Sequence, residues 1–281
     1  MIPLSFQLEE LVRSALSEDI GWGDLTTDAL FPDPVPSEAT LYPKEEIILA
    51  GTVIVSQIFR ILDPDLRIRI IKEDGCRIRK GQPFLTLRGD GRSILKGERI
   101  ALNFLQRLSG IATYTAQFVR RVEGTGTRIL DTRKTTPGMR ILERYAVRMG
   151  GGENHRFHLG DAFLIKDNHL ALGGGVARTL KRLRDGGHSI SSPVEIEAKT
   201  IEEVKAALKG GADRILLDNM TLPRIKKALS LIRDRAVTEV SGGVTLSNVR
   251  EIALTGVGYI SIGALTHSAR SVDITLDLAR R

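Results

Sequence analysis

From residue 127 onward one unit recurs: a short apolar run, a polar or glycine-rich turn, then a helical pattern. The apolar runs are TRILD (127–131), AFLIK (162–166), PVEIE (193–197), ADRILLD (212–218), AVTEVS (236–241) and GYISIG (258–263). Helical patterns such as TIEEVKAALKGG and TLSNVREIALTG separate them. Strands that alternate with helices make βαβ units and a parallel sheet. Six such units are too few for an eight-fold barrel. The expectation is therefore a smaller or incomplete (β/α) barrel, completed by a long helix.

The last residues of these runs are Asp131, Lys166, Glu197, Asp218, Ser241 and Gly263. In parallel α/β architectures ligands bind at the carboxyl ends of the strands. This pattern therefore gathers polar and charged side chains on one rim. Arg133, Lys134, His155, Arg156 and Lys166 bring positive charge or can carry it, and cations outnumber acids there. An arginine fork grips a carboxylate bidentately and a lysine adds a point charge, so TRK and NHR suit a substrate with more than one carboxylate. Glu197 and Asp218, at neighbouring strand ends, suit Mg²⁺ or the hydroxyls of a sugar. SGGV (241–244) and SIGALTHS (261–268) set glycines and hydroxyls before helices, where backbone N–H groups can cradle a phosphate. His155 follows a glycine run and reads as a site residue, whereas His169 is open between a site role and a loop anchor. His158, His188 and His267 read as structural or solvated.

The chain before this repeat has a different rhythm. Leu8, Leu11, Val12, Ala15 and Leu16 share a helical stripe within residues 5–18, followed by the turn-rich connector GWGDLTTDALFPDPVP. Residues 38–90 read as short strands with turns at Asp63-Pro64, Asp74-Gly75 and Lys80-Gly81. A long helical pattern spans 93–122, with a break or kink expected at Ser109-Gly110 because glycine in a helix interior costs ~1 kcal/mol. The domains expected are an N-terminal one over 1–110, which the C-terminal stretch 268–281 could join, and a catalytic barrel over 111–267.

The net charge of +7 raises the prospect of an anionic partner. Aromatic residues make up only 5%, and no basic stretch interleaves with them as in single-strand nucleic-acid binders. Cys76 is the only cysteine, which excludes an intrachain disulfide and suits a reducing, cytoplasmic setting. The early residues Glu9 and Glu10 and the lack of a long apolar core argue against a signal peptide. The apolar run IILAGTVIV is too short for a bilayer, which takes ~20 residues. No nucleic acid and no membrane is therefore expected as a partner.

DTRKTTPG, GGGENHRFHLGDAFLIKDNH, VEIE, ILLDNM, EVSGG and SIGALTHSA, in this order, resemble the quinolinate phosphoribosyltransferase family, as do EDIGWGDLTT and GERIALNFLQRLSGIAT. The resemblance covers residues 5–278. It implies an N-terminal α/β sandwich domain joined to an incomplete α/β barrel, and a homodimer whose sites borrow residues from the partner; a hexamer is a further possible assembly. It also implies the joining of quinolinate to phosphoribosyl pyrophosphate with Mg²⁺, giving nicotinate mononucleotide, pyrophosphate and CO₂. By motif, Arg133, Lys134, His155, Arg156 and Lys166 would hold quinolinate, with Arg99 donated across the dimer interface and Thr132 a further substrate-binding position. Lys134, Lys166, Glu197 and Asp218 would carry the catalytic roles. Glu197 and Asp218 would hold the ribose hydroxyls or the metal, the latter indirectly through substrate-bound Mg²⁺. Ser241, Gly242, Gly243, Gly263 and Ala264 would hold the 5′-phosphate, with Ile262 a further substrate-binding position. Glu197 rather than Glu195 matches the family position, and AKT (198–200), with Lys199, departs from the usual pattern.

Three other readings compete. A relative from molybdate-transport gene clusters shares DTRKT but lacks the intact NHR and KDNH found here. A Schiff-base aldolase would use Lys166 and would be trapped by borohydride with a carbonyl substrate. A basic nucleic-acid binder would bind with steep salt dependence.

Overall fold

A computed structural model describes residues 6–186 and 192–280. His188 lies outside the described residues. The chain divides into two compact units, one comprising residues up to Ala116, Thr135–Gly151 and those from Ala264 on, the other Gln117–Lys134 and Gly152–Gly263. No helix among the described residues is long and apolar enough to cross a membrane.

The first unit holds an antiparallel sheet in the order Ile274–Arg280, Pro36–Pro43, Leu85–Asp90, Arg67–Ile70. Buried and wetter positions alternate along Pro36–Pro43, so Ala39 and Leu41 enter the core with Leu85 and Leu87. Helix Phe6–Ile20 covers the expected first stripe, and the turn-rich connector contains a short helix, Leu25–Leu30, capped by Asp24 Oδ1 accepting from Thr27 N–H at 3.0 Å. Residues 38–90 are not all strands: Thr52–Leu62 is a helix. Its β-branched composition mimics a strand. Yet Thr52, Ile54, Val55, Ile58 and Phe59 are the buried positions, a helical spacing. Asp74 caps it from afar, accepting from Gly51 and Thr52 N–H at 2.9 and 3.1 Å.

The long helix Gly91–Val122 runs unbroken through Ser109-Gly110, against expectation. The two residues serve packing instead. Ser109 Oγ accepts from Ala50 N–H at 3.0 Å, and a Cβ on Gly110 would lie 2.1 Å from the Arg270 carbonyl oxygen. Close backbone approach, not a kink, requires the glycine. Arg107 on the same helix pairs with the fully buried Glu143 at 2.8 Å, and Thr136 N–H donates to that carboxylate at 3.0 Å. This fixes the TTPG end of the DTRKTTPG motif.

The second unit is a six-stranded parallel sheet. Its order is Arg128–Leu130, Tyr259–Ser261, Val237–Ser241, Arg214–Asp218, Val194–Ala198, Phe163–Ile165. All six expected strands form. The first strand in the chain pairs with the last, and the others follow in steady succession. In a flat sheet the connection from first to second strand would cross the whole width. In a curved sheet it crosses one gap. The order is consistent with an incomplete barrel open between those two strands. The buried faces are rich in Ile, Leu and Val, as parallel strands covered on both faces require.

Candidate active site

The carboxyl ends of these strands open into a cavity of about 570 Å³, within the range of small-molecule sites. The segment after strand Arg128–Leu130 is tied down first. Asp131 is fully buried, and its carboxylate accepts from Asn154 Nδ2 at 2.6 Å and His155 N–H at 2.7 Å. Asp131 is thus a clamp that brings the TRK and NHR stretches together, rather than a free acid of the rim.

Arg133, Lys134, His155, Arg156 and Lys166 all line the cavity, with Thr132 beside them. Arg133 Nε is buried and without a hydrogen-bond partner among the described residues. Arg156 Nη1 donates to the Ala162 carbonyl at 2.9 Å. Its pKa is lowered by burial and then by the like charge of Arg133. Two guanidiniums held together at the cost of mutual repulsion make a place for an anion. Lys166 precedes helix Asp167–Gly173, and His169 Nδ1 accepts from Lys166 N–H at 3.0 Å. His169 therefore anchors this loop.

His155 lies between two buried acids. Its Nε2 is 3.2 Å from Glu195 and 3.5 Å from Glu239, and Arg214 joins Glu239 at 3.1 Å. The Arg156 N–H points at Nδ1 at 3.0 Å, which by itself favours the neutral ring. Burial also lowers the imidazole pKa, but Glu195 and Glu239 outweigh both and raise it to about 9. These three side chains lie close enough to hold a metal, yet the imidazolium and Arg214 already balance the two carboxylates.

Glu197 and Asp218 also line the cavity, with side chains 11% and 15% exposed. Burial and then the neighbouring Asp218 raise the Glu197 pKa. Asn219, in the left-handed region at φ 52°, donates from Nδ2 to Asp218 at 3.0 Å and from its N–H to the Ser241 carbonyl at 2.9 Å. Gly242 (φ 90°) makes room for it, since a Cβ there would lie 2.3 Å from Asn219 Oδ1. Ser241 reaches the cavity. Gly242, Gly243, Ile262, Gly263 and Ala264 are not among its lining; Gly242 and Gly243 follow Ser241 in a loop held by Asn248 Nδ2 donating to the Gly243 carbonyl at 2.9 Å, and Ile262 is buried. Arg99 is exposed on the long helix and does not line the cavity.

Sequence reasoning set Glu195 aside in favour of Glu197, passed over Glu239 and Asp167, and noted Lys199 only as a departure. Strand alternation could have found the first two: Glu195 and Glu239 stand two residues before Glu197 and Ser241, hence on the same face.

The family model for the N-terminal domain of quinolinate phosphoribosyl transferase matches residues 24–109, and that for its C-terminal domain matches 111–277. A probable nicotinate-nucleotide pyrophosphorylase [carboxylating] of Bacillus subtilis is 43% identical, over 97% of this chain and 93% of the relative. A mitochondrial quinolinate phosphoribosyltransferase [decarboxylating] of Nicotiana tabacum is 41% identical, over 98% and 83%. Among solved structures, NadC from Streptococcus pyogenes superposes with a TM-score of 0.94 at 38% identity, covering 98% of each chain. With the two domain models matching residues 24–109 and 111–277 and a relative 43% identical over 93% of its length, the chain belongs to the quinolinate phosphoribosyltransferase family.

Proposed function

We propose that this enzyme transfers the phosphoribosyl group of phosphoribosyl pyrophosphate to quinolinate with decarboxylation, a pentosyl transfer in pyridine-nucleotide (NAD) biosynthesis. The observation that carries the reading is a single cavity that brings Arg133, Lys134, His155, Arg156 and Lys166 together with the Glu197–Asp218 pair. A dianionic ring acid suits the first group, and a ribose suits the second.

In this reading Arg133, Arg156, His155, Lys134 and Lys166 bind and orient the two carboxylates, which is mainly positioning. The ring nitrogen then attacks the anomeric carbon as pyrophosphate leaves through an oxocarbenium-like state. The C–O bond breaks with its electron pair on pyrophosphate as the N–C bond forms. The positively charged nitrogen next stabilises the carbanion left on the adjacent ring carbon when its carboxylate departs as CO₂, and that carbon takes up a proton from solvent to give nicotinate mononucleotide. No protein nucleophile is required, which leaves no task for a Schiff base at Lys166. Glu197 and Asp218 hold the ribose hydroxyls. Two little-exposed carboxylates side by side, only partly neutralised by Lys199, would suit Mg²⁺ arriving with the substrate. When bound, Mg²⁺ neutralises charge on the leaving pyrophosphate. Ser241 and the glycine loop after it serve the 5′-phosphate. Arg99 completes the site from a neighbouring copy in a homodimer. Cys76 as the only thiol suits a cytoplasmic setting.

The test is a product assay with purified protein, Mg²⁺ and phosphoribosyl pyrophosphate, with quinolinate or nicotinate supplied in parallel. Nicotinate mononucleotide and CO₂ from quinolinate alone is the expected result. No product from quinolinate, with folded protein, would refute the substrate assignment and turn attention to the molybdate-cluster relative.

A further inference from the structure

Lys199 lies in the AKT stretch, one position beyond strand Val194–Ala198. Its ammonium meets three carboxylates of the cavity: Asp167 at 3.0 Å, Glu197 at 3.8 Å and Asp218 at 3.9 Å. The backbone holds this reach. Lys199 and Thr200 N–H both donate to Glu203 Oε2, at 2.6 and 3.0 Å, and Thr200 Oγ1 accepts from Glu203 N–H at 3.1 Å. This capping box fixes the start of helix Ile201–Lys209 and thereby the root of the lysine. Asp167, the first residue of helix Asp167–Gly173, then holds the tip.

A lysine one residue past a strand end is usually just solvated. This one is half-exposed, yet it lines the cavity and lies within 4 Å of acids from three separate segments. Glu197 and Asp218 are little exposed and close together, so they need positive charge nearby. An ammonium is a compact cation with three donors and can face three carboxylates at once. A divalent cation would need the same oxygens and would be repelled by the charge already there.

Resting on the phosphoribosyl-transfer reading, we propose that Lys199 is a positioning residue, the resident counter-ion of the Glu197–Asp218 pair. It holds both carboxylates toward the ribose side of the cavity. It also keeps a free divalent cation from occupying them before one arrives bound to the pyrophosphate of the substrate. The AKT stretch thus has a role: the chain carries its own cation where the acids converge.

The test is a Mn²⁺ titration of the substrate-free protein, followed by the electron paramagnetic resonance signal of free Mn²⁺. Lys199→Met should bind one Mn²⁺ at least about 10-fold more tightly than the unmodified chain, since removing a charge ~4 Å from the acids changes their interaction with a dication by more than that factor. Lys199→Arg, which keeps the charge, should stay near the unmodified chain. Equal Mn²⁺ affinity in the Met variant and the unmodified chain would overturn the proposal, as would the same gain in both variants. Circular dichroism checks that each variant is folded. The titration contains neither quinolinate nor phosphoribosyl pyrophosphate. A failed product assay therefore refutes the function without touching the Mn²⁺ result, and a failed titration refutes the role of Lys199 alone.

Discussion

The cationic and acidic parts of one cavity balance their charges in different ways. Around Arg133 and Arg156 the positive charges crowd one another, and a buried Arg133 nitrogen lacks a hydrogen-bond partner among the described residues. Around Glu197 and Asp218 the negative charges have Lys199. The deeper His155 lies between the two patterns, matched by Glu195 and Glu239. The contrast teaches where a ligand must supply charge. The cationic part is completed by an anionic substrate, whereas the acidic part is already partly neutralised and has to recognise hydroxyls or a metal-bound group.

The largest expected effects come from breaking the cationic part. Arg133→Ala and Lys166→Ala should each lower kcat/KM for quinolinate about 10- to 150-fold, because one charge-assisted contact is worth ~1.5–3 kcal/mol. Steady-state kinetics checks this, and near-normal turnover in both would sink the pocket. Asp218→Asn should act on the other substrate, raising KM for phosphoribosyl pyrophosphate about 10-fold while leaving that for quinolinate nearly unchanged, the loss of one charged hydrogen bond. An equal rise in both constants would erase the division of labour.

His155 sharpens the comparison through pH. Its pKa in the fold is raised to about 9 from 6.5 by Glu195 and Glu239 beside it, and Arg214 pairs with Glu239. A raised pKa means its contribution to stability is complete below about pH 6.5 and is lost as pH climbs through about 9. The loss is at most about 3 kcal/mol, at 1.36 kcal/mol per unit. Denaturant midpoints at pH 6, 7.5 and 9 should fall in the unmodified chain and much less in His155→Gln. Parallel slopes would show that another group titrates. The smallest effect belongs to the acidic side: Thr200→Ala removes the helix cap that roots Lys199 and should cost about 1 kcal/mol in thermal or chemical unfolding.

Much of this was readable from the sequence, for physical reasons. The six strands were legible because short apolar runs ended in Asp131, Lys166, Glu197, Asp218, Ser241 and Gly263, and each run had to cross over to the next. The helix Thr52–Leu62 was not, since TVIVSQIFRIL has strand-like composition and only tertiary burial selects its helical face. Gly110 could not be read either: a glycine needed for contact with a carbonyl looks the same as one that breaks a helix. Within the site, charge type pointed to the cations and the acid pair. Asp131 was misjudged because its clamp on Asn154 and His155 joins segments more than twenty residues apart. The position of Lys199 among Asp167, Glu197 and Asp218 depends on three segments meeting, which local spacing does not encode.

The central claim is that the cationic group recognises two carboxylates on one ring. The most direct measurement is calorimetric binding of quinolinate and of nicotinate, which lacks the second carboxylate, to the unmodified chain and to Arg133→Ala. Quinolinate should bind the unmodified chain at least about 10-fold more tightly, and the gap should largely close in Arg133→Ala. Equal affinities in the unmodified chain, or a gap that survives the substitution intact, would contradict it.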